Sequence, residues 1–463
     1  MVDERPAQRL GPALGQWLHG LSPDAVPQPA LDTVRRATLD LVGVLLGGRD
    51  EPVVGHLQAM AQVHRAARPG LAPLLVDRGH ASPMDAAWID SVAAHALDYD
   101  DTGLDGHPSA VLLPVVQALG SAAGRSTRDR RCAYVAGFEV WAELARREPD
   151  KLHGKGWHPT AVYGCVAAAA AAAWLLGLDV VRAAHALGIA ASCTGGVVAN
   201  FGSMTKPLQV GLAARNGVQA AQMAAHGITA SADALDGPRG LLAALSPAGR
   251  VRLDEAPRVG RQWHILEQGL SIKRYPVCYA LHRAVDAALS LHPRVAHAPA
   301  IEHIVVELGT LQARMLRAEL PSLAHEARFS APFAIACALT HGRLGLSDLQ
   351  AQTVAEPGLQ ALMRRVEVRE LDQPDPDEPL FAVADRVEVR LGTGEVLRSE
   401  PVTRAKGHAR RPLDDADLRH KFLDCAGRTM GSRQTQALWR ELSQDDRPAT
   451  HAHTAGRSTE VPR

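Results

Sequence analysis

Through most of the first 265 residues, apolar positions recur every three or four places, the spacing that lines one face of a 3.6-residue helix. The pattern predicts helices over Pro29 to Leu46, Met84 to Leu97, Pro108 to Ala123, Arg128 to Arg146, Pro159 to Leu176, Asp179 to Ala191 and Pro207 to His226. Gly47, Gly124, Gly177 and Gly227 stand at helix ends, where glycine suits a left-handed cap. After about residue 268 the period shortens. Ile301 to Leu308 and Arg386 to Leu391 are β-branched and partly alternating, and Gly392-Thr393-Gly394 supplies a turn before Glu395 to Val402. From Pro412 the helical pattern returns over Asp414 to Ala426 and Ser432 to Leu442. The expected fold is mainly α: a large all-helical domain over 1–267, a smaller α+β domain over 268–403, and a return to the helical domain over 404–445. The polar, His-rich end at 446–463 is expected to be disordered.

Composition narrows the function classes. A chain of 463 residues exceeds one ordinary hydrophobic core, in line with two domains. Lys plus Arg equals Asp plus Glu at 50 each, and no basic block is interleaved with aromatics, so a nucleic-acid partner is not expected. Met1-Val2-Asp3-Glu4-Arg5-Pro6 puts acids where a secretory signal needs positive charge, which points to a cytoplasmic protein. The six cysteines are scattered without a C-x-x-C pair, against both a disulfide framework and a zinc knuckle. Ala161 to Leu176 is membrane-like in composition but short and without basic flanks, so it reads as a buried helix. With no Walker loop and no G-x-G-x-x-G opening a βαβ unit, a nucleotide cofactor has no visible seat.

Two short motifs carry candidate chemistry, His107-Pro108-Ser109 and His158-Pro159-Thr160, each directly before an Ala-rich helix. Proline favours the first helical position, so each histidine falls at the N-cap, beside free amide protons and the positive end of the helix dipole. That field attracts carboxylates and keeps an imidazole neutral, able to accept a proton near pH 7. An ordinary cap is the plain alternative. Asp98-Tyr99-Asp100-Asp101-Thr102 lies just upstream, with three carboxylates close enough to perturb one another. It reads either as a base with its orienting partners or as a solvated acidic loop. Asp98-x-Asp100-x-Thr102 also fits a haloacid-dehalogenase-type phosphatase pattern, which needs a preceding strand where this chain has a helical pattern. Asp100-Asp101-x-x-x-Asp105 fits a magnesium-binding prenyl-transfer motif, which needs a second aspartate-rich motif; Asp414-Asp415-Ala416-Asp417 sits instead at a late helix start. Lys206 precedes another proline-initiated helix, and Lys273 opens Lys273-Arg274-Tyr275-Pro276-Val277-Cys278 at the expected domain junction, where ligand clefts are common.

Taken together these segments resemble the MmgE/PrpD family: His-x-x-Asp-x-Asp-Asp-Thr and His-Pro-Ser, then Gly-x-His-Pro-Thr before a poly-alanine helix, then Met-Thr-Lys-Pro-Leu, then Lys-x-Tyr-Pro-x-Cys, in family order over residues 95–286. The resemblance implies a homodimer, a helical domain formed by both ends of the chain, a lid over 268–403, and cofactor-free, metal-independent chemistry on a small polycarboxylate. Carried over by position, it implies catalytic roles for His158, Asp98, His107 and Lys206 and substrate contacts from Thr102, Lys273, Cys278 and Gln209. His158 is the expected proton carrier, Asp98 and Thr102 orient substrate or His107, and the two lysines hold carboxylates. The sequence departs from the family pattern at Gln209 and Cys278, where histidine is common, and at Phe333, where tyrosine is common. Those departures point away from decarboxylation and toward a hydro-lyase, with epimerase, cis-aconitate-type decarboxylase and catalytically silent homologue as the alternatives. Cys278 joins the acid-base groups only if Lys273 stabilises its thiolate.

Overall fold

A computed structural model of the chain describes residues 9–444 apart from 297, 299 and 318, so the disorder expected over 446–463 lies outside the described residues. Its first half is built from helices α1 (Leu10–Gly20), α2 (Gln28–Gly48), α3 (Pro52–Met60), α4 (Pro83–His95), α5 (Pro108–Ala122), α6 (Thr127–Ala145), α7 (Pro159–Leu176), α8 (Val180–Ser192) and α9 (Thr205–Ala225). Local chemistry starts them where expected. Ser82 accepts from the Asp85 amide at the head of α4, Ser126 and Asp129 form a reciprocal capping box on α6, and Asp179 caps α8. Pro108 and Pro159 occupy the first turns of α5 and α7, leaving His107 and His158 at the N-cap positions.

α7 forms the centre of this domain. It is apolar enough by composition to cross a membrane, yet 89% of it is buried among other helices. Its alanines admit close neighbours: a Cβ added at Gly217 of α9 would lie 2.3 Å from the Ala168 Cβ, and one at Gly137 of α6 would lie 2.8 Å from the Ala167 carbonyl. Gly124, Gly177 and Gly227 do adopt positive φ at helix ends. Gly47 does not. It lies inside α2, where an added Cβ would sit 3.1 Å from the Cys425 carbonyl, so its hydrogen serves close approach and not a cap.

Two short strands, β1 (Ala72–Pro73) and β2 (His80–Ala81), pair antiparallel beside the helices. The second half holds a mixed four-stranded sheet of β3 (Ile301–Gly309), β4 (Val366–Leu371), β5 (Arg386–Leu391) and β6 (Val396–Arg398), in the order β4-β3-β5-β6. β3 runs parallel to β4 and antiparallel to β5, and β6 closes a hairpin on β5. The helices His282–Val295 and Ala331–His341 pack on this sheet around Val285, Leu291, Ile304, Phe333 and Val389. The late helix Asp415–Ala426, capped by Asp414, crosses back to α2, placing Phe422 and Ala426 in the helical core. The fold is therefore mainly helical with one small α+β unit.

Candidate active site

α4 ends at His95, and the chain turns sharply by putting Asp98 at φ 51°. Leu104 and Asp105 repeat the left-handed conformation at φ 53° and 62°. Each such non-glycine residue costs about 1–2 kcal/mol, so packing must hold the loop. Thr102 pairs its amide and carbonyl with Ser271 at 2.8 Å both ways, and a Cβ at Gly106 would meet Trp141 at 2.8 Å and the Thr160 hydroxyl at 2.9 Å. The loop is thereby pressed onto the first turn of α7. The Thr160 hydroxyl accepts from the His107 amide at 3.2 Å, which sets the two His-Pro corners side by side.

Three imidazoles meet there, with ring centroids 4.5 Å apart for His95 and His107 and 6.2 Å for His95 and His158. Asp100 sits behind the first two. His95 Nδ1 lies 3.0 Å from both its oxygens, and His107 Nδ1 lies 3.1 Å from Oδ2 and 2.9 Å from the Asp101 carbonyl. A backbone carbonyl only accepts, so His107 carries its proton on Nδ1. Burial resists ionisation of Asp100, but His95 and His107 outweigh it and hold the carboxyl well below its usual range. Burial drives His95 down to about 4, so at neutral pH it is an uncharged ring whose Nε2 has no protein partner. His158 is pushed down further, to about 2, by burial and then by His95 and Lys206. Its Nδ1 lies 2.8 Å from Gln209 Oε1.

Asp98 gathers the cations. Its Oδ1 is 2.9 Å from Lys206 Nζ and 3.0 Å from Lys273 Nζ, and Lys273 also donates to the Asp98 carbonyl at 2.6 Å. Burial alone would raise this carboxyl; Lys206 and Lys273 more than reverse that and keep it ionised. Lys206 comes from the first turn of α9, with Phe201 and Phe329 within 5.1 and 5.8 Å of its ammonium. The α+β unit adds Arg328, which donates to the Ala96 carbonyl at 3.2 Å while its Nε stays buried without a protein partner. Asp101 is different again. Burial lifts its carboxyl to about 8, and it is hydrogen-bonded to the Ser109 hydroxyl, which in turn contacts the Tyr134 hydroxyl at 2.8 Å.

The structure thus brings His158, Asp98, His107, Lys206, Lys273 and Gln209 into one cluster. Thr102 adjoins it through main-chain pairing with Ser271. Cys278 lies close enough to feel Asp98 and both lysines, but burial and then Asp98 raise its thiol, which works against a thiolate held by Lys273. Phe333 is wholly buried in the sheet-side core; the aromatic that faces Lys206 from this segment is Phe329. Asp100, read from the sequence only as one of three carboxylates forming a base and its orienting partners, takes the orienting place behind His95 and His107, while His95, Phe201 and Arg328 join the cluster without a role foreseen from the sequence. His95 had a signal, three places before Asp98 on the last turn of a predicted helix; Arg328 had none.

Both rival motif readings fail on geometry. The segment before Asp98 is helix and not strand, and Asp105 turns outward to Lys151 at 2.6 Å. Asp414 to Asp417 form a helix cap. His95, Asp98, Asp100 and His107 offer ligand atoms within 4.8 Å of one another, a spacing a cation could use. In this structure two ammonium groups and two imidazoles already answer those carboxylates.

Comparison with known proteins supplies the wider frame. Residues 12–254 match the model for the MmgE/PrpD N-terminal domain, and residues 275–445 match the MmgE/PrpD C-terminal domain. The chain is 30% identical over 438 residues to a cis-aconitate decarboxylase of Mus musculus, an alignment covering 91% of this chain and 87% of that protein. It is 30% identical over 375 residues to the human protein of the same name, covering 77% of this chain and 75% of that one. A cis-aconitate decarboxylase of Aspergillus terreus is 26% identical over 440 residues, covering 89% and 88%. On these matches, which span both halves of the molecule, the chain belongs to the MmgE/PrpD family.

Proposed function

We propose that this enzyme is a lyase acting on a small unsaturated polycarboxylate, and that it decarboxylates a substrate of the cis-aconitate type. The observation that carries the reading is the facing pair of devices in one buried cluster: two lysine ammoniums gathered on Asp98, and a neutral His158 whose Nδ1 is committed. The names of the relatives over nearly the whole chain favour CO2 loss over the dehydration that Gln209 and Cys278 suggested.

The chemistry needs both devices. When a carboxylate leaves as CO2 from a carbon next to a C=C bond, its C–C electron pair becomes the new double bond. The old double bond shifts, and its far carbon takes up one proton. Lys206 and Lys273, exchanging Asp98 for substrate carboxylates, hold the anion and the charge spread over it. His158 carries the proton. Before substrate binds its ring is neutral, and a bound polyanion beside it favours the imidazolium, so substrate entry itself charges the acid.

A second reading is elimination of water from a hydroxylated tricarboxylate. It is favoured by the Gln209 contact, which leaves the His158 ring a neutral base in place of an acid. Incubation in deuterium oxide with cis-aconitate and with hydroxytricarboxylates separates the two. The expected result is stoichiometric CO2 from the unsaturated acid with one deuterium in the product, and at least about 100-fold slower turnover in His158→Ala. Dehydration of a hydroxy acid with no CO2 release would sink decarboxylation. Deuterium exchange without net conversion would favour an epimerase, and binding without exchange a silent homologue.

A further inference from the structure

Gln209 sits one turn beyond Lys206 on α9, so both side chains leave the same face of the helix. Its amide is held from two sides. One end lies 3.1 Å from the Val197 carbonyl, the other 2.8 Å from His158 Nδ1. A carbonyl accepts only, so the end at Val197 is the NH2 group, and the end at His158 is the oxygen. The oxygen in turn demands a proton on Nδ1. The main chain fixes the same corner: the His158 amide donates to Gly196 at 3.1 Å, Trp157 bridges to Val197, and the Phe201 ring stands edge-on to the imidazole, centroids 4.9 Å apart.

We propose that Gln209 is the positioning residue that holds His158 as its Nδ1–H tautomer and presents the Nε2 lone pair to the substrate. The inference rests on His158 being the proton carrier, and it assigns Gln209 a task other than touching substrate. An amide suits the task because it fixes the tautomer without supplying a charge, so the resting ring stays neutral and takes its second proton, on Nε2, only once the substrate's carboxylates are bound. A carboxylate at the same place would also accept the Nδ1 proton but would stabilise the imidazolium. The titratable groups that surround His158 are His95 at the end of α4, His107 at the head of α5 and Lys206 on α9, and each of them opposes a charged ring. His95 and His107 direct their Nδ1 atoms to Asp100 and to the Asp101 carbonyl, so one tautomer prevails through the cluster.

The test reads the ring directly in the ligand-free, full-length protein labelled with 15N-histidine, with the His158 signals assigned by their loss in His158→Gln. The wild type should show a protonated-type Nδ1 and a bare-type Nε2. Gln209→Leu, checked for an unchanged far-ultraviolet spectrum, should lose that preference and lower kcat by about tenfold or more, with KM within about threefold. Gln209→Glu should retain the Nδ1–H form and move the His158 titration upward by about 1–3 pH units. A bare Nδ1 in the wild type, or the same tautomer and kcat in Gln209→Leu, would overturn the assignment. The tautomer is read without substrate and the CO2 assay with it, so failure of the Gln209 assignment and failure of decarboxylation are distinguishable.

Discussion

At the residue scale, three neighbouring aspartates that burial pushes the same way end in opposite states because their partners differ. Asp98 and Asp100 stay ionised because cations and imidazoles face them, while Asp101, one residue on, has hydrogen bonds only from Ser109 and is lifted to about 8 by burial, with the Asp40 and Asp100 carboxylates adding to the rise. The consequence is a pH dependence that belongs to Asp101. A carboxyl raised on folding contributes stability that is fully present below its unfolded value, near 3.8, and lost as pH rises through its folded value, about 8. Asp101→Asn removes that loss. Urea unfolding midpoints of wild type and variant should therefore diverge in the variant's favour as pH rises from about 4 to about 8 and run parallel above that; curves parallel throughout would show that Asp101 ionises freely. The three aspartates were visible in the sequence as one acidic run. Their separation was not, because it depends on Lys273 arriving from 175 positions away and on Ser109 and Tyr134 closing over one of them.

At the element scale, the helices were legible because caps and apolar spacing are local. Pro108 and Pro159 announced the two histidine corners, and the alanine run announced a buried α7. What local pattern concealed was the partner. β4 escapes a reading by pattern although Val366-Glu367-Val368-Arg369 alternates, because the run is short and none of its six residues is buried, so no core-facing side marks it off from a solvated segment. Gly217 gave no hint in sequence that its missing Cβ is what lets α9 lie against α7, and so places Lys206 and Gln209 opposite His158. Replacing it with alanine sets a methyl 2.3 Å from the Ala168 Cβ. Overpacking of this kind costs about 1–3 kcal/mol, so Gly217→Ala should lower the thermal midpoint by several degrees and displace α9 enough to depress turnover more than substrate affinity. An unchanged midpoint would mean that the two helices do not depend on this contact.

At the scale of the whole molecule, the site is assembled from widely separated stretches of chain, and a further one, the late helix Asp415–Ala426, braces it without reaching it. Lys421, on the late helix Asp415–Ala426, is buried against α2, with its ammonium 2.6 Å from Asp40 and 4.1 Å from the Tyr99 ring centre. It also donates to the Tyr99 carbonyl at 2.8 Å, which grips from behind the turn that carries Asp98 and Asp100. Burial lifts Asp40 to about 6 even with Lys421 beside it, so the pair is a costly one whose worth lies in what it fixes. Lys421→Met leaves a buried carboxylate uncompensated and should cost about 3–5 kcal/mol at pH 7 by denaturant unfolding, and less at pH 5, where Asp40 protonates in place of remaining charged. Combining it with Asp40→Asn should return much of that stability, since neither partner then carries a buried charge. Turnover should not return with it: the Tyr99 carbonyl remains ungripped in the double variant, and the Asp98 turn, held at a left-handed φ of 51°, loses one of its supports. Recovery of stability and activity together would place the function of this helix in packing alone; recovery of stability without activity would mark it as the distal anchor of the catalytic loop.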